Sequence, residues 1–120
     1  PLIVAINKGK EGIVKVLLDN PNVNINMQDD YTPLVAAIKI GNEALAKELI
    51  ERGADVNLKA KKCYSPLVTA IIYEMESLVQ YLIEKGADIN EKDVNGDTPL
   101  STARLIGNEA IIKYLIEHGA

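Results

Sequence analysis

Four times along the chain, apolar residues recur at spacing i, i+1, i+4, i+5. The sets are Ile13, Val14, Leu17 and Leu18; Leu45, Ala46, Leu49 and Ile50; Leu78, Val79, Leu82 and Ile83; and Ile111, Ile112, Leu115 and Ile116. The period is helical, but the stripe is wider than one amphipathic face needs, as in a helix that must touch a neighbour on both sides. Each block is preceded by a shorter apolar run, Leu34–Ile38 or Leu67–Ile72 for example, so the pattern predicts pairs of helices, one short and one longer.

The punctuation between the blocks keeps a fixed beat. Pro33, Pro66 and Pro99 stand 33 residues apart, each between a Thr or Ser and a Leu. Thr32, Ser65 and Thr98 are placed to cap a helix by accepting a bond from an early backbone N–H. Proline suits the first helical position, where its missing N–H has no partner to lose. Gly41 and Gly107 are placed to end the short helix in the left-handed conformation, whereas Glu74 holds that place in the third unit and must adopt the costlier conformation or reshape the turn. A second marker runs in phase: Gly53-Ala54-Asp55-Val56-Asn57, Gly86-Ala87-Asp88-Ile89-Asn90, then Gly119-Ala120. Two signatures at one period of this size predict a stacked repeat array with no separate domains, its units lying near 1–26, 27–59, 60–92 and 93–120.

The first unit is looser. Pro1-Leu2, Gly9 and Leu17-Leu18 match Pro33-Leu34, Gly41 and Leu49-Ile50 at an offset of 32, so its opening residues are missing. Asn20-Pro21-Asn22-Val23-Asn24-Ile25-Asn26 then replaces the glycine marker, and Asp29-Asp30-Tyr31 lacks the glycine seen at Gly96. Two alignments fit: one insertion with two deletions, or an in-register loop anchored by Asn24.

Composition removes more functions than it adds. With five Tyr and neither Trp nor Phe, the core must be built from Ile, Leu, Val and Ala. A single cysteine, Cys63, cannot form an internal disulfide and gives no sign of secretion. No apolar run approaches a membrane span, and no charged region precedes the opening apolar residues. A net charge of −4 gives no reason to expect nucleic acid. The expectation is an intracellular, cytoplasmic protein with no membrane contact. One histidine, His118, and one cysteine are too few for a metal site, and a Cys63–His118 nucleophilic pair would have to bridge two units of the lattice. Asn95-Gly96 is a turn and not a phosphate loop. The cluster Lys59, Lys61 and Lys62 fits a solvated fingertip. No catalytic, cofactor or metal residues are assigned.

At this level the chain resembles the ankyrin-repeat family, which joins a Thr-Pro-Leu-His helix start to a Gly-Ala-Asp-Val-Asn finger. The resemblance covers essentially the whole chain and implies an all-α solenoid of helix–turn–helix units with hairpin-like fingers. It also implies a non-catalytic scaffold that binds a partner protein through the concave surface of fingers and first helices. The histidine is absent throughout, replaced by Ile3, Val35, Val68 and Ser101, so stacking here should lean on apolar contact. Cys63 stands where Gly96 stands in the last unit, and Ala60 where Asp93 does, which predicts a looser second finger. The family's finger asparagines, here Asn57 and Asn90 with Leu49 and Leu82 eight residues earlier, can be hydroxylated by a dedicated oxygenase.

Comparing equivalent positions marks where a partner would sit. At two places near the end of the first helix, where the family pattern is usually polar, this chain has Lys39 and Ile40, Ile72 and Tyr73, Leu105 and Ile106. Tyr31 and Tyr64 precede the caps. These eight residues are the candidate partner-binding set, as an exposed apolar and aromatic strip; the competing reading buries them between adjacent first helices. Lys39, Arg52, Lys61, Lys62 and Lys85 are expected to frame the strip with positive charge. Tyr81 and Tyr114, on the second helices, read as packing residues with the hydroxyl reaching water. A different class of function is also open: a structural spacer or self-stacking segment of a longer array, with end-to-end self-association, since both outer units keep apolar residues where polar caps are usual.

Overall fold

The computed structural model describes residues 2–27, 31–59, 64–93 and 95–120. Among the described residues are eight helices in four pairs: α1 (Leu2–Asn7) with α2 (Glu11–Asp19), α3 (Pro33–Lys39) with α4 (Glu43–Glu51), α5 (Pro66–Ile72) with α6 (Glu76–Glu84), and α7 (Pro99–Ile106) with α8 (Glu109–Glu117). Each helix packs against its own partner, and the short helices form a continuous layer in which α1, α3, α5 and α7 touch in turn. The longer helices make a looser second layer, α4 against α6 and α6 against α8. The expectations for Asp29, Asp30, Ala60, Lys61, Lys62 and Cys63 lie outside the described residues.

The start signals act as the sequence predicts. Thr32, Ser65 and Thr98 are extended and accept bonds from the N–H groups of Val35, Val68 and Ser101 at 3.2, 3.3 and 3.1 Å. Where the family histidine is absent, Val35 and Val68 are buried, while Ser101 closes a capping box by accepting from the Thr98 N–H at 2.9 Å. Asn42 and Asn108 cap the longer helices α4 and α8; Met75, at the same place before α6, offers no side-chain cap.

Glu74 takes the costlier of its two options, with φ +55° where Gly41 and Gly107 have +77° and +85°. The turn is kept because its bonds are kept. The Glu74 and Met75 N–H groups donate to Ile71 and Ala70 carbonyls at 3.0 Å, as Gly41 and Asn42 donate to Ile38 and Ala37. The lattice fixes the conformation and the side chain bears the strain.

Between units, the finger asparagines act as clasps. The Asn57 side chain donates to the Gly86 carbonyl at 3.1 Å and accepts from the Asp88 N–H at 2.8 Å, so both ends of one amide are spent on the next unit. Asn90 donates likewise to Gly119 at 3.3 Å. In the first joint it is Asn26, and not Asn24, that repeats this pattern, donating to Gly53 at 3.4 Å and accepting from Asp55 N–H at 2.8 Å. Asn24 instead accepts from the Asn26 N–H, the local role of Asp55 and Asp88. The bonds therefore select the alignment with one insertion and two deletions. Among the described residues the fingers contain turns and no strand.

Two stability changes follow. Glu74→Gly should raise unfolding free energy by about 1 kcal/mol by relieving the left-handed strain, the small loss being the exposed bond from Asn108 Nδ2 to Glu74. Asn57→Ala should lower it by about 1–2 kcal/mol, since the Gly86 carbonyl and Asp88 N–H lose one partner between them. Urea unfolding followed by circular dichroism measures both.

Candidate functional site

Tyr31, Val35 and Lys39 are spaced four apart and run from the residue before the cap of α3 to its last turn. Thr69, Ile72 and Tyr73, at i, i+3 and i+4, share a face at the end of α5, where Tyr73 is the C-cap residue. Because α3 and α5 pack side by side, these two sets, joined by Tyr64, enclose a cleft of about 200 Å³ between the second and third units. Val35 and Thr69 are the buried residues of its lining, and the Thr69 hydroxyl is already spent on the Ser65 carbonyl at 2.9 Å.

The remaining lining residues reach solvent. Tyr73 is 48% exposed, Tyr64 44% and Ile72 38%, so these large side chains are not consumed by packing between first helices. Tyr31 is half-buried, and the Lys39 ammonium lies 4.1 Å from its ring centroid. That contact is a cation–π pair that fixes a positive charge at the cleft.

The structure thus brings together Tyr31, Lys39, Tyr64, Ile72 and Tyr73 from the sequence-derived set. Ile40, Leu105 and Ile106 are exposed but do not line this cleft. Val35 and Thr69 were absent from that set, and the four-residue spacing from Tyr31 through Val35 to Lys39 is the signal that finds Val35.

The expected positive frame needs correction. Arg52 and Lys85 lie outside the cleft lining because they end α4 and α6 in the second-helix layer, where carboxylates pair with them. Arg52 bonds Asp19 at 3.0 Å, Glu48 at 3.2 Å and the Leu18 carbonyl at 3.2 Å. Lys85 pairs with Glu51 at 3.5 Å. Among the named lysines and arginine, Lys39 is the described one that lines the cleft.

Tyr81 packs against the core as expected, but its hydroxyl is held by a carboxylate. Its hydroxyl donates to Glu51, with Lys47 and Lys85 ammonium groups 5.3 and 5.4 Å from its ring. The bond raises the phenol above its ordinary pKa and, with Lys85, holds Glu51 below the usual carboxylate range. Tyr114 stacks on His118 at 3.9 Å, and burial raises its phenol. His118 Nδ1 lies 2.8 Å from the Tyr114 carbonyl, so this ring is engaged in closing the end of α8. Among the described residues no cluster of three His, Cys, Asp or Glu could hold a metal ion, and no helix is long and apolar enough to cross a membrane.

Comparison with known proteins agrees with this architecture. The family model described as "Ankyrin repeats (3 copies)" matches residues 1–60, and "Ankyrin repeats (many copies)" matches residues 67–116. A stretch of 55 residues, 44% of the chain, is 44% identical to "BTB/POZ domain-containing protein 3" of Schizosaccharomyces pombe (strain 972 / ATCC 24843). The match spans 10% of that protein's length.

The exposed and buried parts of the cleft should separate by mutation. Tyr64→Ala and Tyr73→Ala should each stay within about 0.5 kcal/mol of wild type, as surface changes do. Val35→Ala should cost about 2 kcal/mol, from lost burial plus the space left behind. Thermal denaturation of the three variants checks the contrast.

Proposed function

Because the chain belongs to the ankyrin-repeat family, whose arrays are non-catalytic protein-interaction scaffolds, we propose that it holds a partner protein through the cleft between α3 and α5. The observation that carries this reading is the convergence of three tyrosines from two units on one solvent-open cleft. Tyrosine gives large contact area for few rotatable bonds, and its hydroxyl can bond at a wet rim. A small apolar patch ringed by polar groups is the form that binding sites take on soluble proteins.

Each lining residue that reaches solvent then has a task. Tyr64, Ile72 and Tyr73 supply the apolar surface that a partner side chain would cover, and their exposure means that burial on binding is still to be gained. Tyr31 is steadied by Lys39 and forms a wall already in place, which lowers the ordering cost on association. Ile40 at the end of α3 and Leu105 and Ile106 on α7 are further exposed apolar residues of the first-helix layer and would meet a partner longer than the cleft.

The test is affinity capture on the wild-type chain with mass spectrometry to identify the partner, followed by titration. The dissociation constant for Tyr64→Ala/Tyr73→Ala should rise by about tenfold or more, the loss of at least one anchoring side chain. An unchanged constant in a folded double variant would move the binding surface elsewhere.

A further inference from the structure

Asn95 is the one asparagine of the chain that glycine follows. Such a pair can react without an enzyme. The backbone nitrogen of Gly96 attacks the Asn95 side-chain carbonyl carbon, and a cyclic imide forms as the bond from that carbon to the amide nitrogen breaks. The proton of the Gly96 N–H leaves with that nitrogen as ammonia. Water then opens the ring at either carbonyl, giving aspartate or, with the chain rerouted through the side chain, isoaspartate. A side chain on the following residue crowds the attack, and glycine has none.

Two features leave Asn95 open to this chemistry. Asn95 and Gly96 are exposed, so water reaches them. The clasp amides of Asn57 and Asn90 are bonded to the next unit, whereas among the described residues no hydrogen bond engages the Asn95 side chain. The backbone of the third finger works the other way. The nitrogen that must attack donates its proton to the Asp93 carbonyl at 3.0 Å, and the Asp93 N–H donates to the Asp97 carbonyl at 2.9 Å. One oxygen of the Asp93 carboxylate accepts from the Asn95 N–H at 2.8 Å and from the Asp97 N–H at 2.9 Å. Four bonds converge on Asp93, and the attack waits until the finger opens and releases the Gly96 N–H.

We propose that Asn95 is a site of spontaneous deamidation, that the closure around Asp93 sets its rate, and that the product cannot restore that closure. Either product places a third carboxylate beside those of Asp93 and Asp97, where like charges repel. Isoaspartate also lengthens the backbone between Asp93 and Asp97, and the bonds joining those two residues depend on the number of atoms between them. The change falls immediately before Thr98, the cap of α7, so it acts on the start of a helix. It is confined to the third finger, because the second has Ala60 in place of Asp93 and Lys62-Cys63 in place of Asn95-Gly96.

The test follows the intact chain at mildly alkaline pH, with mass spectrometry of digests reading conversion at each asparagine and chromatography separating aspartate from isoaspartate. Asn95 should convert before Asn57 and Asn90, yet about tenfold or more slower than in a free peptide of residues 91–101. Asp93→Ala should bring Asn95 to within about threefold of the peptide, and Asp93→Asn, which keeps an acceptor oxygen in place, should stay near wild type. The isolated isoaspartyl protein should lose hydrogen-exchange protection at the Gly96 and Asp97 amides. Circular dichroism confirms folding, and if Asp93→Ala is impaired, the wild-type rate in sub-denaturing urea should rise in step with exchange at the Gly96 amide. Conversion no faster than at Asn57 and Asn90 overturns the site. A wild-type rate equal to that of the peptide, an unchanged rate in folded Asp93→Ala, or a rate that ignores Gly96 exchange overturns the control by Asp93. Protection retained in the isoaspartyl protein overturns the failure to reclose. None of these outcomes depends on the tyrosine cleft.

Discussion

A helix of six residues cannot hold itself together in water, and neither can one of nine. Every described helix falls within that range, so the helices depend on burial against one another. Within a unit, Ala37, Ala70 and Ala103 are fully buried. Between units the burial continues through Ile38 and Ile71, Leu49 and Leu82, with no break that would divide one core from the next. The hydrophobic term is non-directional and would tolerate many sliding arrangements of such smooth helices. What removes that freedom is polar and geometric: the cap that fixes where each short helix starts, and the asparagine amide that measures the distance to the next finger.

The clasp also explains how an irregular first joint stays in the lattice. The chain from α2 to the finger carries one more residue than its counterparts, and Asn20 is extended where Arg52 and Lys85 are near-helical. Even so, Asn26 reaches Gly53 and Asp55 as Asn57 reaches Gly86 and Asp88. The extra residue is absorbed before the clasp. Arg52 adds a second tie across the same joint by holding both Asp19 and the Leu18 carbonyl. Local insertion is cheap in such a joint because only the two bonded ends of the finger must arrive in register.

Much of this was legible in the sequence because short-range rules dictate it. Helix starts and the unit period come from Thr/Ser-Pro-Leu, and the core comes from a doubled apolar spacing. What the pattern left open was decided by bonds between residues about thirty apart. Asn24 and Asn26 are indistinguishable as letters in an Asn-rich run, and only the cross-unit partner separates them. Glu74 announces a conflict, but the choice between strain and a reshaped turn rests on whether the Ile71 and Ala70 carbonyls keep their donors. Arg52 and Lys85 failed as a frame for the cleft because equivalence along a repeat locates a residue without revealing its neighbours. Here the neighbours are the carboxylates of Asp19, Glu48 and Glu51.

In a one-dimensional array a position between stacked units and a position on the side answer to different constraints. On the sides a residue can change without disturbing the stack, so departures from the repeat are permitted by packing and are available for binding. The tyrosine cleft is such a departure, and it is local for a reason found in the last unit. There the place of Tyr31 and Tyr64 is taken by Asp97, whose N–H donates to Asp93 at 2.9 Å and whose carboxylate receives the Ser101 hydroxyl at 3.4 Å. That position is spent on closing the third finger and cannot also present an aromatic ring.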